Sequence, residues 1–547
     1  MRAAAAAVVP LFHALFSACV GALIRAPPSR LRGALMRAPP RLRGASMRRA
    51  AASIEEANAR ATRTWREVAV AAPRLSEATA FGDGAAPAGL AGTWYVNGLA
   101  SCRVGERLVH PFEAHGFVKA FSFDGKGGAT LTTRFVETPV QQWETRLNRP
   151  LVRGAMSNVA AFDKFPDHLL NAASPSTRAV AQLAVRKWAG KFFASTDNAP
   201  WYALDPNTLE TKGIETMNGA LNGRDPLAHT RLDRRRQRLV AAAATFDAFN
   251  DKTTTDFWEF DADGRELSRY EDTDQSYVVH DFAITEEHYV LPVSPIKFDL
   301  DNIPDFALGK APATDLFAFD AARHGELKLL PRFGGEAVRV DLGAFGCIFH
   351  LGPCWIDEAG RLVAHVLLFE KYDGLGTAMG FDVRTQAFDP IPWSRANGGP
   401  TLRRIVADAA TGEVLEATKL SDTKLDMPTF HPGRDGLPNK VLFGTAGARP
   451  DGWFPFNALV KYDLEDDVEE VWHAGDDAVT SEPYFVPRDD DTDDGEGWVL
   501  SLVHDVAANA TQLHVFDSAR FGSGPVWTAR VGELWPWNVH TTWVPPS

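Results

Sequence analysis

Fifteen histidines are spread through the 547 residues, too many for all of them to serve one site. Four stand out by their neighbourhoods: His229 in DPLAHTRLD, His280 in YVVHDFAITEEHYVLP, His350 in CIFHLGPCW and His540 in WNVHTTWVP. Each lies at the edge of a strand-like run, and neutral imidazole is a common transition-metal ligand. Their separations of 51, 70 and 190 residues do not match a local zinc motif, whose ligands fall a few residues apart. Such spacing suits a symmetric fold in which separate repeats each send one side chain to a common axis. On spacing alone, any one of them reads more readily as an ordinary core or surface histidine.

The elements that must position these side chains are strands. After about residue 55 a hairpin signature recurs: a short apolar stretch, an Asp, a polar turn and a second apolar stretch. It is seen in YALDPNTLET (202–211), FWEFDADGRELSRY (257–270), CWIDEAGRLVAHV (354–366), GFDVRTQAF (380–388) and KYDLEDDVEEVW (461–472). Asp binds turn backbone through its carboxylate, and the flanking β-branched and aromatic residues suit half-buried strands. Many such hairpins in one chain predict an all-β sandwich, barrel or propeller, and the irregular spacing suits a propeller with insertions on its rims. Helical patterns are scarce, with one expected over 54–71 and a short one over 177–190. Residues 75–90 read as an Ala/Gly/Pro-rich linker and 140–176 as an insertion. The acidic run RDDDTDDGEG (488–497) lacks a calcium-liganding pattern with a closing Glu and reads as a solvated loop.

Hydrophobic residues make up 45% and charged residues 23%, ordinary globular values. Length alone suggests three or four domains, but a single large β domain breaks that rule. The net charge of −13 argues against a general nucleic-acid binder, which needs a basic face. Four cysteines without a CxxC pair, Cys19, Cys102, Cys347 and Cys354, make a disulfide framework unexpected. Residues 1–50 hold nine arginines and no acid, the first being Glu55. An apolar, Ala-rich start precedes a near-duplicate, RAPPSRLRGALM then RAPPRLRGASM. Residues 1–54 therefore read as a targeting segment, with a plastid destination expected, reached in two steps. A signal peptide, a mitochondrial presequence and an N-terminal anchor are the alternatives. Residues 55–87 are read as a helical and linker lead-in, and 88–547 as the folded domain.

Beyond spacing, the blocks around the histidines carry a resemblance. From about residue 88 to the C-terminus the sequence resembles the carotenoid cleavage oxygenase family, which includes plant dioxygenases, stilbene cleavers and a retinoid isomerohydrolase. YVVHDFAITEEHYVLP is similar to that family's HDFAIT block, DPLAHTRLD to its AHPK-D block, EPYFVPRDDDTDDGEGWVLSLVHD to its SEP-FVP…DDGW block, and VHTTWVP to its HGTWVP block. FDGKGGATLTTRFVETP and YALDPNTLET match two further blocks in order. The resemblance implies a seven-bladed β-propeller with a lid of loops and helices over an axial Fe(II) held by His229, His280, His350 and His540. Four neutral imidazoles leave the ferrous charge intact and two positions open.

The resemblance also implies a carboxylate behind three of the four rings. Glu482 in TSEPYF matches one; the other two positions read Asp197 in FASTDNAPWYALDP and Asp426 in KLDMPTF, each a C–C bond shorter, roughly 1.5 Å. Either the backbone moves inward, a water bridges, or those contacts are lost. Further departures are FHLGPCWIDE after the third histidine, VNGL at 96–99 and HPFEAHGF at 110–117, which brings in His110 and His115. Cys354 reads as a buried thiol and His288 as a rim or core residue. Phe282, beside His280, is a candidate for the substrate tunnel, with core packing the equal alternative. The implied activity is O2-dependent cleavage of a carotenoid or apocarotenoid double bond. A non-cleaving isomerase on the same iron and a pigment-binding propeller without catalysis are the alternatives. Apolar residues of the insertion, among them Trp143, Leu151, Phe162, Leu169 and Leu170, are candidates for peripheral membrane contact.

Overall fold

The computed structural model describes residues 44–174, 177–197, 199–371, 374, 378–449, 452–489 and 495–546. Most of the expected targeting segment lies outside the described residues, as does the centre of the acidic run, 490–494.

Most strands form antiparallel meanders, and the turns show why. The carboxylates of Asp205, Asp261, Asp357, Asp382 and Asp463 each accept two backbone N–H groups two to four residues on, which closes the hairpin without help from distant residues. Apart from three two-stranded sheets, the described strands fall into seven units. The first is five-stranded and combines strands Ser76–Ala80, Ala91–Gly98, Phe117–Asp124 and Ala129–Phe135 with the last strand, Asn538–Val544. The second to fourth are four-stranded, over 184–215, 226–275 and 283–341. The fifth (347–429) and sixth (414–473) share the 16-residue strand Val414–Thr429, and the seventh covers 478–532.

The hydrophobic cores show how the units are arranged. Val118 and Ala120 of the first pack on Val185 and Phe192 of the second. Phe193 and Trp201 of the second pack on Leu239 and Trp258 of the third. In the next seam Phe257 stacks on Tyr289, with centroids 4.3 Å apart and planes at 7°. The series continues through Leu327 with Leu362, Leu402 with Leu442, and Phe443 with Phe485. It ends where Leu500 and Leu513 of the seventh unit meet Trp94 and Phe121 of the first. Seven seams in cyclic order make a closed ring, the seven-bladed β-propeller expected from the resemblance. In the third unit the inner strands are largely buried, while the outer strand Glu266–Gln275 (ELSRYEDTDQ) alternates exposed and half-buried residues. Its charges blunt the open edge against pairing with another chain.

An eighth cluster lies over one end of the ring. It brings Trp65 and Val68 of helix Gly44–Val70 together with Phe369, Trp453, Phe454 and Trp537. Trp65 is fully buried and meets Phe454 edge-on at 4.8 Å.

Two expectations need correction. No helix forms over 177–190; strands Ala184–Trp188 and Lys191–Ser195 make a hairpin there. Ala189 (φ +52°) and Gly190 (φ +73°) form its two-residue turn, and positive φ at both positions matches the right-handed twist of a hairpin. The lead-in is more than a linker, because Ser76–Ala80 is the edge strand of the first unit. The insertion holds helix Pro139–Leu147, capped by the Thr138 side chain, and short helix His168–Ala172. No described helix is long and apolar enough to cross a membrane.

Candidate metal centre

His229 lies on Pro226–Asp233, His350 on Cys347–Ile356 and His540 on Asn538–Val544, while His280 lies three residues before the start of Ala283–Ile284. Each of these strands is at one end of its sheet order. The four rings converge so that one ligand atom from each lies within 4.8 Å of the others. His229 Nε2 is 3.3 Å and His350 Nε2 3.2 Å from His280 Nε2, and the His229 and His540 centroids are 4.3 Å apart.

Behind the rings stand the three carboxylates. His280 Nδ1–H donates to Asp197 at 2.5 Å, His350 Nδ1–H to Asp426 at 2.6 Å and His540 Nδ1–H to Glu482 at 2.8 Å. The shorter aspartates therefore reach their rings directly, with neither a bridging water nor a lost contact. Each carboxylate also accepts a backbone N–H: Asp197 from Ala228, Asp426 from Met427 and Glu482 from Thr541. The four histidines come from the first, third and fifth units and the segment that enters the fourth, and the carboxylates from the second unit, the strand shared by the fifth and sixth, and the seventh.

The donor set suits a cation. A neutral imidazole that donates from Nδ1 presents a bare lone pair at Nε2. Where His280 Nε2 and His350 Nε2 meet at 3.2 Å, two such lone pairs face one another with no proton between them, an arrangement that a positive ion relieves. Burial, reinforced by the neighbouring His540, His280 and His350, pushes His229 well below the usual histidine range. Burial also opposes protonation of His280, but the charge and hydrogen bond of Asp197, together with the charges of Asp281 and Asp426, outweigh it and the net shift is upward. Soft thiolates are absent from the group. Cys354 is buried, its Sγ directed at the Gly352 carbonyl, and burial raises it to about 12.

Other expected residues lie elsewhere. Phe282 is fully buried and meets Phe257 edge-on at 5.3 Å in the seam between the third and fourth units, so the tunnel reading gives way to core packing. Its backbone is pinned on both sides, N–H to Asp281 and carbonyl to Arg231, which turns the ring away from the axis. His110 accepts from Phe112 N–H and lies 3.0 Å from the Ala378 carbonyl, while His115 lies 3.2 Å from Glu144; both are buried structural groups. His288 Nδ1 lies 3.3 Å from the Thr285 hydroxyl, at the turn between two strands. The sequence reading missed Phe349, whose ring centroid is 6.2 Å from that of His280, and the pair Arg231–Asp281. Both were signalled by adjacency to one of the four clustered histidines: Phe349 to His350 and Asp281 to His280.

Residues 72–545 match the family described as "Retinal pigment epithelial membrane protein". The chain belongs to this family, which is the carotenoid cleavage oxygenase family. An apocarotenoid-15,15'-oxygenase of Synechocystis sp. is 26% identical over 84% of this chain and 92% of its own. The chloroplastic carotenoid cleavage dioxygenase 7 of Arabidopsis thaliana is 22% identical over 80% and 82%. A crystal structure of the cobalt-substituted Synechocystis enzyme superposes with a TM-score of 0.78 over 89% of this chain and 99% of its own, at 23% identity. The chain is accordingly an enzyme of the oxygenase class.

Proposed function

We propose that His229, His280, His350 and His540 hold one Fe(II) and that the enzyme cleaves a conjugated double bond of a carotenoid or apocarotenoid with O2. One C=C bond and one O2 are consumed, and two carbonyl products form, each with one oxygen atom. The observation that carries this reading is the convergence of four Nε2 lone pairs, three of them fixed by carboxylates. When bound, ferrous iron would supply the electrons that activate dioxygen, which zinc cannot do.

The chain's own residues bind and shield. The lid cluster of Phe349, Phe369, Trp453, Phe454 and Trp537 gives the axial end an apolar ceiling that fits an uncharged polyene and keeps bulk water away. Asp197, Asp426 and Glu482 hold three rings in the tautomer that leaves Nε2 free. No side-chain acid or nucleophile is required.

Two tests are decisive. Anaerobically loaded protein should carry about one iron per chain, lost in His280→Ala; unchanged iron in that variant rejects the ligand set. Incubation with carotenoids and apocarotenals under 18O2 should give aldehyde or ketone pairs, both labelled. Isomers of unbroken length would favour the non-cleaving alternative.

The reading extends to place. Residues 1–54 direct the chain to a plastid, testable by fusing them to a fluorescent protein. Peripheral membrane contact is assigned to the groove of about 670 Å³ beside exposed Phe165, Leu169 and Leu308, flanked by Lys310 and Arg384. Phe165→Ser with Leu169→Ser should abolish flotation with anionic vesicles; unaltered flotation would remove the groove from consideration.

A further inference from the structure

The metal reading leaves one ring without a close carboxylate. Nδ1 of His229 lies 3.5 Å from Asp281 Oδ1, against 2.5–2.8 Å for the other three pairs. Asp281 is nearly fully buried and engaged on several sides. Arg231 Nη2 donates to both of its oxygens at 2.7 Å, Leu351 N–H to Oδ2 at 3.0 Å and Phe282 N–H to Oδ1 at 2.8 Å. Arg231 Nε also reaches the Phe282 carbonyl at 2.5 Å, and Nη1 lies 3.5 Å from Asp435.

The register of these contacts is telling. Arg231 is two residues after His229 on one strand, so both side chains leave the same face. Asp281 follows His280 directly, and Leu351 follows His350. A single carboxylate thus joins the segments that carry three of the four histidines, from three successive units.

We propose that Asp281, fixed by Arg231, is the fourth positioning carboxylate of the centre: it sets the His229 ring and holds three ligand segments in register. This rests on the metal reading above. Because Asp281 divides itself between Arg231 and His229, His229 is the most loosely oriented of the four rings and the ligand most sensitive to change behind it.

Removing a carboxylate behind a metal-bound histidine typically weakens metal binding about 10- to 100-fold. Asp281→Asn leaves Arg231 with only the more distant Asp435 as a counter-charge and risks misfolding. The decisive variant is therefore Arg231→Gln with Asp281→Asn, which removes both charges together. Each protein is loaded with Co(II), and three quantities are read: the visible cobalt spectrum, the rate of cobalt release to a chelator, and the thermal midpoint of the metal-free form. The double variant should regain the midpoint lost in Asp281→Asn yet keep a shifted spectrum and release about 10- to 100-fold faster than wild type. A double variant with the wild-type spectrum and release rate overturns the proposal and reduces the pair to a structural tie. Wild-type protein that takes up no stoichiometric cobalt would instead overturn the metal reading itself, before any variant is compared.

Discussion

Asp197→Asn isolates the chemistry of one carboxylate with almost no change of shape. Asp197 has two tasks: one oxygen accepts Ala228 N–H at 2.8 Å and the other accepts His280 Nδ1–H at 2.5 Å. An amide has one oxygen for these two donors. If that oxygen serves Ala228, the NH2 group faces Nδ1 and forces the ring into the other tautomer. The new Nε2–H then points at His229 and His350, 3.3 and 3.2 Å away, and His280 is lost as a ligand. If the oxygen serves His280, the NH2 group meets the Ala228 N–H, and a backbone donor is orphaned at a cost of about 1–3 kcal/mol. Either outcome is commensurate with the roughly 10- to 100-fold loss of metal affinity typical of such sites, about 1.4–2.8 kcal/mol. The assay is anaerobic competition for ferrous ion against a chelator, with Asp197→Glu as the control that restores a two-oxygen acceptor. Asp197→Asn that holds iron within about twofold of wild type would refute the tautomer argument.

Other expectations can be checked with less work. Lys119 is fully buried against the Asn538 side-chain oxygen, and burial lowers it to about 7 from 10.5. The unfolded chain then binds more protons than the folded one between those values, so stability should rise with pH from about 7 to 10.5. The gain would be at most about 5 kcal/mol, and a flat profile in Lys119→Met denaturation would confirm its source. Burial holds His110 and His365 near about 4 and His504, also beside Lys119, near about 3. Each folded value is depressed, so stability should fall as pH drops from 6.5 towards 4, which acid titration followed by near-UV circular dichroism would report. Trp65→Ala should detach the lid helix at a cost of about 3–5 kcal/mol and expose residues 44–70 to protease; wild-type proteolysis kinetics would contradict that packing role.

Much of this molecule was legible before its coordinates. The turn aspartates announced the hairpins because an Asx turn is a local event, written within a few residues. Three of the four histidines were legible because His229, His280 and His540 each lie in a block similar to the family's, in the same order; His350 was placed by an in-order Phe-His pair after a strand-like stretch, although the residues that follow depart from the family's. What escaped notice was decided at long range. Residues 177–190 looked helical by composition, but Ala189 and Gly190 adopt positive φ, and the strands they join pair within the second unit. Phe282 was placed by its distance from His280 along the chain, whereas the backbone bonds to Asp281 and Arg231 decide which way the ring turns. The reach of Asp197 and Asp426 depended on how far the second and sixth units lean inward, and no count of side-chain carbons contains that.

The strand Val414–Thr429 makes the ring unequal. It leaves the fifth unit and enters the sixth as one hydrogen-bonded ribbon, while no other two neighbouring units share a strand among the described residues. Asp426 rides on that ribbon, in the same continuous sheet as His350. The partnerships of His280 and His540 instead bridge separate sheets. The His350–Asp426 pair therefore keeps its spacing through a hydrogen-bonded sheet, whereas the other two pairs rely on how neighbouring units pack.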